Sequence, residues 1–156
     1  MRVVFAVTET GIDASAGDFF TALELGQALK RCFGWEVEFR PRGDGWYALG
    51  GADLLIAMLD DYDPRLICDA SPLLIKLAWA RNWFDRWAMN PGADEFDLFF
   101  ASSRPAVNYL RERLGRLVEI FRIATNPDRF KLEDRLLKAN IDYVLTGSYW
   151  HAKRDI

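Results

Sequence analysis

Residues 2–33 read RVVFAVTETGIDASAGDFFTALELGQALKRCF, and this stretch decides the fold. Val3 to Val7 is an unbroken apolar run rich in β-branched residues. Such a run predicts a strand buried on both faces, as in parallel sheets. Thr8 to Ala16 is a loop of small and polar residues. From Gly17 the apolar positions Phe19, Phe20, Ala22, Leu23, Leu25, Ala28, Leu29 and Phe33 follow helical spacing. Asp18 falls in the first turn, where the helix dipole favours an anion, and Gly34 is placed to end the helix. A buried strand, a loop and an amphipathic helix form the first half of a parallel crossover unit.

The same alternation continues outward. Trp35 to Phe39 alternates like a more exposed strand. Pro41-Arg42-Gly43-Asp44 reads as a turn. Asp53 to Leu59 (DLLIAML) is a second buried strand, followed by DDYDP, whose Pro64 can open a short helix toward Cys68. Leu73 to Trp79 is a third apolar run. Asn82 to Met89 reads as a short helix ended by Pro91-Gly92. Asp97 to Ala101 (DLFFA) is a fourth buried strand, Ser102-Ser103 caps a helix through about Leu114, and Leu117 to Ile123 is a further strand. The expectation is an α/β, doubly wound (Rossmann-like), mostly parallel sheet with Val3–Val7 central. Ligands of such sheets sit outside the carboxyl ends of the strands. That rule gathers Thr8–Asp18, Asp60–Asp63, Trp79–Arg86 and Ser102-Ser103 along one rim.

Composition narrows the function classes. The chain has 156 residues, 51% of them hydrophobic, enough for one packed domain, or for one domain plus a piece of a second. A net charge of −3 makes no electrostatic case for a nucleic-acid partner. Cys32 and Cys68 lie in apolar surroundings without CxxC spacing, so buried free thiols in a reducing compartment are expected. No apolar segment has the length of a membrane span or the layout of a secretory signal. The resulting expectation is a cytoplasmic protein, with peripheral membrane contact left open.

Several stretches hold candidate chemistry. The loop TETGIDASAGD lacks both GxGxxG and GK[ST], so it is neither a dinucleotide fingerprint nor a P-loop. With Gly11, Gly17 and Asp18 at a helix start, it suits binding a polar ligand through backbone amides, or it is a plain connector. In DDYD, Asp60 and Asp61 could bind sugar hydroxyls, hold a metal or act as a base. A solvated turn with Asp63 capping the next helix is the ordinary reading of each aspartate, and no histidine lies nearby to suggest a metal centre. AWARNWFDRWAMNPG places Trp79, Trp83 and Trp87 four residues apart. On one continuous helix, Trp83 and Trp87 share a face, Arg81 pairs with Asp85, and Asn82 pairs with Arg86. Arg81, Asn82 and Arg86 at the edge of that face could instead present donors to sugar hydroxyls or a phosphate. Ser102 is most simply a cap. A Ser–His hydrolase needs a base close by, and the single histidine is His151 in the tail. Arg111, Arg113 and Arg116 read as a solvated helix face.

RNWFDRW at 81–87, FDLFFASSRPAVNYLRERLG at 96–115 and VEIFRIATNPDRF at 118–130 together resemble the N-terminal half of GT-B glycosyltransferases of the group 1 type. The likeness is strongest to the bacterial branch related to spore-maturation and O-antigen enzymes. GDFFTALELGQALKRCFGWEVEF resembles that family's first helix and second strand. DYVLTGSYWHAKRDI resembles the opening strand and basic loop of its donor domain. The resemblance implies an acceptor-side domain at 1–130, with 131–156 as a linker helix and the start of a donor-binding domain. It implies a nucleotide sugar as donor substrate, with no resident cofactor, and the lack of a histidine near DDYD leaves no metal expected. The implied partners are a glycan or lipid-linked acceptor and the chain's own C-terminal donor domain. The loop Gly11–Asp18 and the rim at Asp60, Arg81 and Asn82 fall on the acceptor side. Gly147, Lys153 and Arg154 fall on the donor side. No residue matches a motif for a catalytic base. The competing class is a stand-alone flavodoxin-like binding or regulatory module without catalysis, since α/β alternation suits both.

Overall fold

The computed structural model describes residues 1–126, of which Met1–Ala124 form a compact unit. The expected linker helix, the boundary at 130/131 and the donor-side loop with Gly147, Lys153 and Arg154 lie outside the described residues. The strands are β1 (Arg2–Val7), β2 (Glu36–Pro41), β3 (Leu54–Ala57), β4 (Ile75–Ala80), β5 (Leu98–Ala101) and β6 (Glu119–Ile120). The helices are α1 (Gly17–Phe33), α2 (Phe84–Met89) and α3 (Arg104–Leu114), with single 3₁₀ turns at Pro64–Leu66 and Ala93–Glu95. All six strands form one sheet in the order β2-β1-β3-β4-β5-β6, and every adjacent pair is parallel. The doubly wound parallel architecture is therefore present. β1 is interior but one strand in from the edge, not at the middle, because only β2 lies outside it.

The strand period of two sorts β1 between two cores. Val3, Phe5 and Val7 point toward α1 and pack with Phe19, Ala22, Ile56, Met58, Leu77 and Trp79. Val4 and Ala6 point the other way, into a larger core with Leu55, Ala78, Trp87, Phe99, Ala106, Val107 and Leu110. All five residues from Val3 to Val7 are buried. Gly34 ends α1 in the left-handed conformation at φ 66°, its amide donating to the Lys30 carbonyl. β2 is more exposed, as its alternation predicts.

On the larger-core side, the link from β2 to β3 contains no helix. Trp46 and Leu49 from that link fill the space a crossover helix would take. Strand residues there are small (Ala57, Ala78, Ala80, Ala101), which lets Trp87 approach. Its indole makes edge contacts with Phe96 and Phe99 at ring-centre distances of 6.3 and 5.6 Å.

Two expectations are corrected. Cys32 and Cys68 are both exposed, not buried. Cys32 sits on the outer side of the last turn of α1, and Cys68 follows the first 3₁₀ turn on the surface. Arg116 is not part of a solvated face. Its guanidinium donates to the carbonyls of Ala93 and Phe96, tying the end of α3 to the second 3₁₀ turn.

Trp87 is buried to 1% exposure, whereas Trp83 is 44% exposed. Trp87→Ala is expected to cost about 3–5 kcal/mol in urea unfolding. Trp83→Ala is expected to stay within about 1 kcal/mol of wild type.

Candidate functional site at the carboxyl rim

In a sheet ordered β2-β1-β3, the chain winds in opposite directions on the two sides of the β1/β3 pair. The loops after β1 and β3 therefore part and leave a crevice at their carboxyl ends. The connection after β4 lies directly beside it. Three of the expected site segments meet here.

The loop after β1 is closed by its own side chains. The Glu9 carboxylate accepts hydrogen bonds from the amides of Ser15 and Ala16 at 2.5 and 2.6 Å, and from the Ser15 hydroxyl at 3.2 Å. The Ser15 and Ala16 amides hold the Glu9 pKa below the usual carboxylate range, against an opposing effect of burial and with a lesser contribution from the Ser15 hydroxyl. The Ser15 and Ala16 amides just ahead of α1 are thus engaged internally. Gly11 adopts φ 115°, a conformation suited to glycine, and serves the loop's turn. Ile12 at its tip is fully exposed. Asp18, only 7% exposed, accepts from the Thr8 amide at 2.6 Å and fastens the end of β1 to the start of α1.

The loop after β3 is held from below. Asn90 is buried, and its side-chain amide donates to the carbonyls of Asp60 and Tyr62 at 2.9 and 2.8 Å. Its side-chain oxygen accepts from the Gly92 amide at 2.7 Å. Asp61 forms a two-oxygen ion pair with Arg42, at 2.6 and 2.8 Å. Asp63 caps the 3₁₀ turn and pairs with Arg65, so the capping reading holds for it. Tyr62 is fully buried, and burial pushes its phenol pKa upward. DDYD is therefore not one cluster of acids facing one point. Asp61 and Asp63 have separate cationic partners. Among the described residues no three His, Cys, Asp or Glu side chains are grouped to hold a metal ion.

The segment after β4 departs most from expectation. β4 runs through Ala80, and α2 begins only at Phe84. Trp83 is the cap residue, in the left-handed conformation at φ 50°, which is unusual for a bulky side chain. Trp83 and Trp87 therefore do not share a helix face, and the Arg81–Asp85 and Asn82–Arg86 helical pairs are not made. Arg86 instead stacks on the Trp83 ring, its guanidinium carbon 4.5 Å from the centroid. Asn82 is exposed. Arg81 turns inward. It donates to the Thr21 hydroxyl at 3.2 Å and to the Met58 carbonyl at 3.4 Å, bridging β4, α1 and the end of β3. The Ser102 hydroxyl donates to the Arg81 carbonyl at 2.9 Å, and Ser103 caps α3. Burial pulls the Arg81 pKa down, with the Asp18 carboxylate opposing it.

The rim therefore bonds Arg81 to Ser102, sets Asp18 within electrostatic reach of Arg81, and places Asp60 and Asp61 on the neighbouring loop. Gly17 serves as the first residue of α1. Glu9, Thr21, Arg42 and Asn90 were not among the expected residues. Asn90 gave no local signal, because its carbonyl partners are 30 and 28 residues away. Among the described residues no helix is long and apolar enough to cross a membrane.

No known family model matches this chain, and no curated protein or solved structure matches it either.

Glu9 supplies a pH-dependent lock on the β1–α1 loop. Its folded pKa is depressed, so its stabilisation is present above the unfolded value of 4.5 and fades as pH falls through the lower folded value. Hydrogen exchange at the Ser15 and Ala16 amides is expected to be slow at pH 6 and faster below pH about 4, beyond the intrinsic pH trend. In Glu9→Ala both amides are expected to exchange fast throughout, with the core strands unaffected.

Proposed function

We propose that this chain is the acceptor-side domain of a GT-B-type glycosyltransferase. In this reading the carboxyl rim holds a glycan or lipid-linked acceptor, and a separate donor domain presents the nucleotide sugar. The observation that carries it is the arrangement around Arg81. A donor-rich side chain, an exposed amide at Asn82 and an indole backed by a guanidinium follow one another at the end of a single interior strand. They lie at the same carboxyl rim as the loops after β1 and β3. Sugars are bound by such combinations of aromatic faces and planar hydrogen-bonding groups. The resemblance of residues 81–130 to the family supplies the reaction class, and the parallel sheet is the fold that class requires.

The residues have assignable roles in this reading. Trp83 and Arg86 form a stacked wall at the outer edge. Asn82 offers both donor and acceptor to ring hydroxyls. Asn90 keeps the Asp60–Asp63 loop in one position, so the opposite wall is preorganised. Transfer needs donor and acceptor in line, so the 156-residue chain alone is expected to transfer no sugar from a nucleotide sugar.

A second reading has its own support. The order β2-β1-β3-β4-β5 is also that of flavodoxin-like modules, which bind a ligand at the same switch point without a second domain.

Calorimetry with a panel of oligosaccharides, and separately with flavin mononucleotide, separates the two. The glycosyltransferase reading expects oligosaccharide binding that weakens about tenfold in Asn82→Ala and Arg86→Ala, about 1.4 kcal/mol each. Flavin binding with no response to any oligosaccharide would replace it with the module.

A further inference from the structure

Arg81 is the first residue beyond β4, and its guanidinium lies half-buried between α1 and the end of β3. Each terminal nitrogen makes one hydrogen bond, to Thr21 and to Met58, and both are longer than the usual 2.9–3.0 Å. Its Nε is buried with no partner. Among the described residues no carboxylate forms an ion pair with it, although the other ion pairs involve Arg2, Arg40, Arg42, Arg65, Lys76 and Arg111. Asp18 is the nearby acid and acts on Arg81 through space, but its hydrogen bond goes to the Thr8 amide.

A guanidinium has five N–H groups, and burial removes the water that would otherwise satisfy them. Here Nε is buried without a partner, two long bonds hold the terminal nitrogens, and the second N–H on each of them has no bond within the described residues. Two N–H groups of one planar guanidinium match the oxygens of an oxyanion better than a single hydroxyl. The positive end of α1 and the exposed guanidinium of Arg86 add to the field on the same rim. The carboxylates of Asp18, Glu9 and Asp60 on the same rim limit that field, while Asp61 is paired with Arg42, so the rim suits one anionic group rather than a strongly charged polyanion.

We infer that Arg81 is an anion-binding residue, taking a phosphate group of the ligand that occupies the crevice between the loops after β1 and β3. This rests on the carboxyl rim being the binding face, as proposed above, and adds what that ligand carries. The phosphate could belong to a soluble phosphorylated molecule or to a phospholipid headgroup, and the chemistry at Arg81 is common to both.

The test uses the full chain at low ionic strength. One arm titrates inorganic phosphate by calorimetry. The other floats the protein with phosphatidylcholine vesicles containing phosphatidic acid. Binding is expected in at least one arm, and Arg81→Gln is expected to weaken it about tenfold or more, with unchanged circular dichroism. If Arg81→Gln does not fold, Arg81→Lys carries the test. It keeps the charge without the planar fork, and severalfold weaker binding is expected. No binding in either arm, or equal binding by wild type and the folded variant, would overturn the inference. Phosphate binding that depends on Arg81 without oligosaccharide binding would keep it while removing the glycosyltransferase reading. Oligosaccharide binding with no phosphate response would do the reverse.

Discussion

β1 is closed in on all sides. Its backbone is paired with β2 along one edge and β3 along the other, and its side chains from Val3 to Val7 are buried in two separate cores. A strand in that position has no face or edge left for water, so its backbone groups must be satisfied by its neighbours. The other elements are arranged to meet that demand. α1 covers one face, and the helix-free link with Trp46 and Leu49, then α2 and α3, cover the other. Deleting a methyl-sized contact here would be felt in both layers, because packed interiors relax only in part.

The same constraint creates the rim. A strand flanked by connections that wind in opposite directions leaves a gap at its carboxyl end. Polar groups collect there because the sheet's apolar rows have ended. Asp18 is bonded to the backbone just past β1, Arg81 to the backbone just past β3, and Ser102 to that just past β4, so the rim is built on strand termini rather than on long free loops. Strand ends move little, and groups fixed to them can be held near a productive geometry. The loop after β1 differs. It is pinned by the single carboxylate of Glu9, and its tip carries a fully exposed Ile12. The rim thus joins a rigid floor to one side wall whose closure depends on a single ionised group.

Trp83 stands apart from the consistency of the rest. A bulky residue in the left-handed region costs of order 1–3 kcal/mol and persists only where its surroundings demand it. Glycine or asparagine would take that conformation more easily. The turn is sharp because the chain must leave β4 and begin α2 within three residues. The result holds Trp83 outward with Arg86 on its ring, while Trp87, one turn into the helix, goes to the core.

Much of this protein follows from local pattern. Val3–Val7, DLLIAML and DLFFA are apolar over lengths that suit strands buried on both faces. Gly34, Asp63 and Ser103 act where capping chemistry puts them, because a cap is satisfied by atoms two to four residues away. The parallel sheet and the membership of its rim were legible for that reason. The state of each rim residue was not. Four-residue spacing set Trp83 on a helix face with Trp87 and offered Arg81 to Asp85, but β4 pairs with β5 through Ala80, Arg81 turns inward just beyond it, and α2 starts only after the turn. The amides of the first loop looked open until the fold brought Glu9 onto them. Asn90 reads as a residue before a proline, and only long-range folding sets its amide beneath the carbonyls of Asp60 and Tyr62. Spacing along a chain determines which neighbours within a turn or a strand can meet. Which distant group takes a given donor is decided when the sheet assembles, since burial then forces each polar atom to find a partner.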